Sequence, residues 1–128
     1  MKLLLDTHTF IGWDSDPSKL SSAALALCQD RSNALTLSVA SVWEMQIKLQ
    51  LGKLKLTLPL VDIIEAQQRV NNLKLLPIVL EHVLELENLP LLHKDPFDRL
   101  LIAQGIVEDA PIVSNDPEFS KYPAKVLW

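Results

Sequence analysis

Cysteine is nearly absent. The single Cys28 cannot close an internal disulfide, and no Cys/His spacing suggests zinc, so a reducing setting is expected. Cys28 itself reads as a small buried hydrophobe. Only 3 glycines occur beside 48% hydrophobic residues, which excludes a disordered chain. Aromatics total 5% and are not interleaved with a basic patch, so Trp13, Trp43 and Trp128 read as core or interface anchors rather than stacking platforms. No apolar run reaches the roughly 20 residues of a membrane span. The first apolar run stops at Asp6, short of a signal-peptide core of roughly 7–15 residues. A soluble, cytoplasmic protein is therefore expected. Positive charge is also scarce: the net charge is −4, which argues against a broad basic footprint for nucleic acid.

The chain does have the length for one domain, and 128 residues can bury a real core. We expect a single domain over residues 1–128. Short apolar runs at 2–5, 34–37, 73–78, 112–114 and 125–127 read as strands. Helical patterns fall at 7–13, 17–29, 38–51 (closed by Gly52), 60–70, 80–87 and 96–107. This alternation predicts an α/β fold with a mostly parallel sheet and helices on both faces. The helices at 20–28 and 60–70 also offer apolar faces that could dock a partner segment.

In such sheets ligands sit at the carboxyl ends of the strands, beside helix N-termini. Four acids belong on that edge. Asp6 follows the first strand, Asp116 follows the strand at 112–114, Asp98 opens the helix at 96–107, and Glu44 lies early in the helix after the second strand. Each also has a purely structural use: Asp6 as a helix cap, Ser41 with Glu44 as a capping box, Asp98 as a first-turn acid behind the cap Asp95, and Asp116 in the Asn115-Asp116-Pro117 turn.

Electrostatics weighs the coincidence. Two like charges about 4 Å apart repel by roughly 4 kcal/mol at an effective dielectric near 20, whereas a helix end returns only about 0.3–1 kcal/mol per acid. Converging carboxylates must therefore protonate or hold a cation. With oxygen ligands only, that cation is hard, Mg²⁺ or Mn²⁺, and its open positions suit phosphodiester hydrolysis. Setting these 4 acids aside from the 16 leaves 12 against 12 Lys plus Arg, so the remainder is neutral. Lys48, Lys53, Lys55 and Arg99 are candidate phosphate contacts. His8, His82 and His93 read as surface groups.

The segments LLLDTHTFIGW, SVASVWEMQIKLQLGKLKL, HKDPFDRLLIAQ, IVSNDPEFSKY and KVLW, in this order over nearly the whole chain, resemble the PIN-domain proteins, specifically VapC-type toxins of bacterial type II toxin-antitoxin pairs. The resemblance implies a three-layer α/β/α sandwich and a Mg²⁺- or Mn²⁺-dependent endoribonuclease acting on RNA. It also implies a cognate antitoxin and a homodimer. It places the family's acidic quartet on Asp6, Glu44, Asp98 and Asp116, with Asp6 and Asp98 the principal metal ligands, Asp116 contributing and Glu44 acting through a second metal or water. Thr7, Ser38, Ser114 and Asn115 would support them. The sequence departs from the family at Trp13-Asp14-Ser15-Asp16, where a partner surface could differ, and at Ser114-Asn115. Two other classes stay open: a receiver-like phospho-acceptor domain, which wants a lysine beside its last strands where Lys121 and Lys125 are poorly placed, and a catalytically silent binding module whose acids are all caps.

Overall fold

The computed structural model describes residues 1–92 and 95–128; the reading of His93 lies outside the described residues. Five strands, β1 (Lys2–Leu5), β2 (Ala34–Ser38), β3 (Lys74–Leu76), β4 (Ile112–Val113) and β5 (Val126–Leu127), form one sheet in the order β3-β2-β1-β4-β5. Every pairing is parallel, with Leu5 opposite Leu37 on one side and Val113 on the other. The helices are α1 (Thr7–Ser15), α2 (Ser22–Gln29), α3 (Val39–Gln50), α4 (Leu60–Asn71), α5 (Leu80–Glu85) and α6 (Pro96–Val107).

Period-2 alternation in β1 divides the interior. Leu3 and Leu5 join Phe10, Ala24, Met45, Ile63 and Ile64 on one face, and Leu4 joins Leu101, Ile102, Ala103 and Phe119 on the other. The result is the three-layer α/β/α sandwich. Cys28 is buried in the first core, and desolvation pushes its thiol up to about 11, so it stays protonated and inert near neutral pH.

Two elements differ from the sequence reading. The helix expected over 17–29 is interrupted: a 3-10 turn at Pro17–Lys19 ends in extended backbone at Leu20, and α2 restarts behind Ser21, whose hydroxyl accepts the Ala24 N–H at 3.0 Å. Leu20 is buried by that break. The strand expected over 73–78 is confined to Lys74–Leu76, because Pro77 has no N–H to continue the ladder.

His82, expected on the surface, is fully buried. Its Nδ1 accepts the Val79 N–H at 3.2 Å at the start of α5, and its Nε2 meets Glu108 Oε2 at 2.9 Å. With Nδ1 accepting, Nε2 carries the proton it donates to Glu108. Glu108 caps the C-terminal end of α6, where a carboxylate opposes the helix dipole. Lys2 Nζ offsets this by donating to its Oε1 at 2.8 Å. The network thus ties α5, α6 and β1 together at the amino edge of the sheet.

Gly105 marks a close approach of α6 to the sheet. A Cβ there would stand 3.0 Å from Ile112 Cδ1 and 3.1 Å from the Ala110 carbonyl oxygen. Gly105→Ala is expected to cost about 1–3 kcal/mol by overpacking, read as a lower urea midpoint at unchanged m-value.

The hydrogen bonds from Lys2 and His82 hold the Glu108 carboxyl below its usual range. A depressed folded-state pKa gives stability that is present above the unfolded value, roughly 4.3, and is lost as pH falls through the folded value. Glu108→Gln should therefore be less stable than the parent at pH 7, by about 0.2–1 kcal/mol for the partly exposed pair with Lys2. The difference should shrink below pH 5 in urea titrations. A gap that widens on acidification would contradict this account.

Candidate active site

Asp6 leaves β1 in extended backbone and begins α1. Its Oδ1 accepts the Thr9 N–H at 2.6 Å, so it does cap the helix. Its Oδ2 accepts a hydrogen bond from the Ser114 hydroxyl, which lies just beyond β4. The same Ser114 Oγ accepts the Asp116 N–H at 3.1 Å, and Asp116 Oδ1 accepts the Glu118 N–H at 2.9 Å across the Pro117 turn. One hydroxyl thereby links two of the predicted acids. The Asp6 side chain lies in a residue only 3% exposed, and it has no ion-pair partner among the described residues. A buried carboxylate held by dipoles alone is electrostatically costly.

Glu44 is reached from the next residue of the chain. Thr7, also buried, donates its hydroxyl proton to Glu44 Oε1 at 2.8 Å and lies 3.0 Å from Ser41 Oγ. A hydroxyl has one proton, and the carboxylate makes the stronger, charge-assisted bond. Lys48 holds the other oxygen, Oε2, at 3.0 Å from one turn along α3. The capping box expected between Ser41 and Glu44 does not form. Ser38 is the cap instead, accepting the Ala40 N–H at 3.0 Å, which leaves Ser41 and Glu44 in the helix body facing α1. The Lys48 pair was legible as an i,i+4 spacing, and Ser41 carried no such signal.

At the head of α6 the two aspartates divide as the sequence suggests. Asp95 Oδ1 accepts the N–H groups of Phe97 (2.9 Å) and Asp98 (3.3 Å), with Pro96 at the first helical position. Asp98 is half-buried in the first turn, and its carboxylate is not the cap. Phe97 meets Trp43 of α3 edge-to-face at a centroid distance of 5.1 Å, so the helices carrying Glu44 and Asp98 touch at this end. Trp43 is 58% exposed and is no core anchor.

The expected phosphate contacts fare unequally. Arg99 is committed to structure: its guanidinium donates to the Pro90 carbonyl at 2.8 Å and to the Leu86 carbonyl and Tyr122 hydroxyl at 3.4 Å. Lys48 is paired with Glu44. Lys53 and Lys55 are exposed and have no ion pair among the described residues. The acids at the end of α1 serve the fold: Asp14 accepts from Gln67 of α4 at 2.8 Å, and Asp16 caps the following turn through Ser18.

All four acids stand at one edge, because helix N-termini in a parallel sandwich lie beside the strand C-termini. Among the described residues, however, no three Asp, Glu, His or Cys side chains form a group that could hold a metal ion as they stand. The hydroxyls of Thr7 and Ser114 bridge the site instead. Thr7→Val, which preserves shape but removes the donor to a buried carboxylate, is expected to cost about 1–3 kcal/mol at neutral pH, measured as a loss of unfolding free energy. An unchanged stability would show that Glu44 does not depend on this bond.

The fold has structural counterparts among solved proteins. The chain superposes on VapBC2 from Rickettsia felis, solved bound to a DNA fragment from its promoter, with a TM-score of 0.74 and 16% identity over 99% of this chain and 98% of that one. DNA-bound VapBC from Salmonella typhimurium gives 0.69 and 15% over 99% and 97%. VapBC-5 from Mycobacterium tuberculosis, a toxin-antitoxin system, gives 0.59 and 16% over 98% and 95%. No curated protein matches the sequence. The PIN domain model matches residues 3–125, and with nearly the whole chain inside that match, this protein belongs to the PIN domain family.

Proposed function

We propose that this PIN-domain protein is a metal-dependent endoribonuclease, the toxin of a type II toxin-antitoxin pair, with Asp6, Glu44, Asp98 and Asp116 as its catalytic acids. The observation that carries this reading is the buried Asp6 carboxylate, joined through Ser114 to Asp116 and lacking a cation among the described residues. The donor set is all oxygen, which fits Mg²⁺ or Mn²⁺ in chemistry. Gathering the acids around an ion requires side-chain movement from their present positions.

Asp6, Asp98 and Asp116 would hold the ion, with Glu44 completing the site. A bound divalent ion supplies an activated water and a counter-charge for the leaving oxygen. The chain's own groups do the positioning. Thr9 and Ser114 donate to the two oxygens of Asp6, so this carboxylate is held in place and the side-chain movement falls to the other acids. Thr7 and Lys48 donate to the two oxygens of Glu44, holding it towards α1.

A receiver-like phospho-acceptor is not favoured. The strand order is not the 2-1-3-4-5 of that doubly wound class, and Lys121 is paired with Glu118 at 2.9 Å rather than with Asp6. The solved VapBC relatives support an antitoxin partner here. The exposed Leu80, Leu84 and Leu91 support a homodimer contact. No helix among the described residues is long and apolar enough to cross a membrane.

Purified protein should cut single-stranded RNA with Mg²⁺ or Mn²⁺ and stop in excess EDTA. Asp6→Asn and Asp98→Asn should lower the rate at least about 100-fold, on the scale of losing a key electrostatic group. Asp95→Asn, which keeps a good cap, should retain most activity. Saturating Mn²⁺ should raise the thermal midpoint of the parent and not of Asp6→Asn, since binding to the native state alone stabilises it by about 2.7 kcal/mol at 100 times Kd. Full cleavage in EDTA would refute the reading.

A further inference from the structure

A pocket opens beside the residues that follow β1, β4 and β5. It encloses about 200 Å³ and is lined by His8, Gly12, Lys19, Asn115 and Trp128 among others. Its position follows from topology. His8 is two residues beyond Asp6, Asn115 stands between Ser114 and Asp116, and Trp128 directly follows β5. The pocket therefore adjoins both acids that Ser114 links.

His8, Lys19 and Asn115 are exposed, and among the described residues none of their side chains has a hydrogen-bond or ion-pair partner. Trp128, 37% exposed, supplies an indole face. Gly12 lets α1 pack closely against the turn that carries Lys19, since a Cβ would come within 3.3 Å of Leu20 Cδ1 and 3.6 Å of Lys19 Cβ. The volume is below the roughly 300–1,000 Å³ of pockets that enclose whole drug-sized ligands, so it suits one flat fragment with a charge beside it.

Resting on the ribonuclease reading, we propose that this pocket seats the unpaired nucleotide next to the phosphate that is cut. Trp128 stacks on the base, Lys19 meets its phosphate, and Asn115 or His8 hydrogen-bonds its edge, which makes these positioning residues that set sequence preference. An acidic peptide would use Lys19 but would have no need of a stacking face or of an amide that both donates and accepts. A nucleotide uses all three.

The test measures binding of a fluorescein-labelled, eight-nucleotide single-stranded RNA by anisotropy in the Asp6→Asn background, which leaves the RNA intact, and cleavage in the parent background. Trp128→Leu should weaken binding roughly 5- to 150-fold, the range for losing one base–aromatic stack. Lys19→Gln should weaken it and reduce the salt slope by about 1, with Lys19→Arg restoring it. In the parent background these changes should raise KM with little effect on kcat, and Asn115→Ala should flatten base preference at one position when 5′ ends are mapped on a randomised RNA pool. If the parent cuts and binds RNA while folded variants match it, the pocket proposal fails and the nuclease reading stands. If the parent neither binds nor cuts RNA, both fail. If RNA affinity is unchanged but Lys19→Gln loses binding of a hexaglutamate peptide, the pocket belongs to an acidic partner and the proposal is overturned.

Discussion

The pairing of β1 with β4 is the constraint on which this site depends. The sheet order places β1 at the centre, with β2 and β3 to one side and β4 and β5 to the other, so the boundary between β1 and β4 is where the winding reverses. Chain leaving the two strands there diverges toward opposite layers, opening a crevice at their carboxyl ends. Leu5 lies opposite Val113, which brings the next residues, Asp6 and Ser114, within hydrogen-bonding reach. Had β4 slipped by one residue, the alternation of the pleat would turn Val113 out of its core and Ser114 away from Asp6. Packing on both faces therefore sets the register of a polar contact that contributes no apolar burial of its own.

The acids illustrate how one residue can carry two jobs. Asp6 caps α1 with one oxygen and receives Ser114 on the other, so capping does not exclude it from the site. A cap's carboxylate is fixed by backbone amides that exist for reasons of helix geometry, and at Asp6 the second oxygen is left to accept from Ser114. At α6 the jobs are separated. Asp95 takes the amides, and Asp98 stands one turn position further in. The two helices therefore use their first aspartates differently: at α1 the cap also takes a side-chain donor, and at α6 the cap and the neighbouring acid are separate residues.

Much of this was legible in the sequence because the signals are local. Apolar runs of β-strand length, each followed by a helical pattern, place Asp6, Glu44, Asp98 and Asp116 on one edge before any contact is known. What stayed hidden depends on distant partners. Nothing near His82 announces that Glu108 and Val79 will take both its nitrogens, and an imidazole so satisfied can be buried at little cost. Ser41 and Glu44 have the spacing of a capping box, yet the helix begins three residues earlier, at Ser38, and the same side chains turn instead to Thr7. Arg99 looked available to phosphate because its partners, the carbonyls of Pro90 and Leu86, have no sequence signature.

Two separate polar systems hold the ends of the sandwich, and their difference bears on function. At the amino edge, Lys2, His82 and Glu108 form a chain in which each charge meets an opposite charge or a donor, as a purely structural network should. At the carboxyl edge, Asp6 is more deeply buried than Glu108, yet its two oxygens meet only a backbone amide and a hydroxyl. A fold selected for stability alone could have placed an asparagine there, which still caps the helix, at lower electrostatic cost. The two edges therefore differ: the Glu108 carboxylate meets both Lys2 and His82, whereas Asp6 has no ion-pair partner among the described residues.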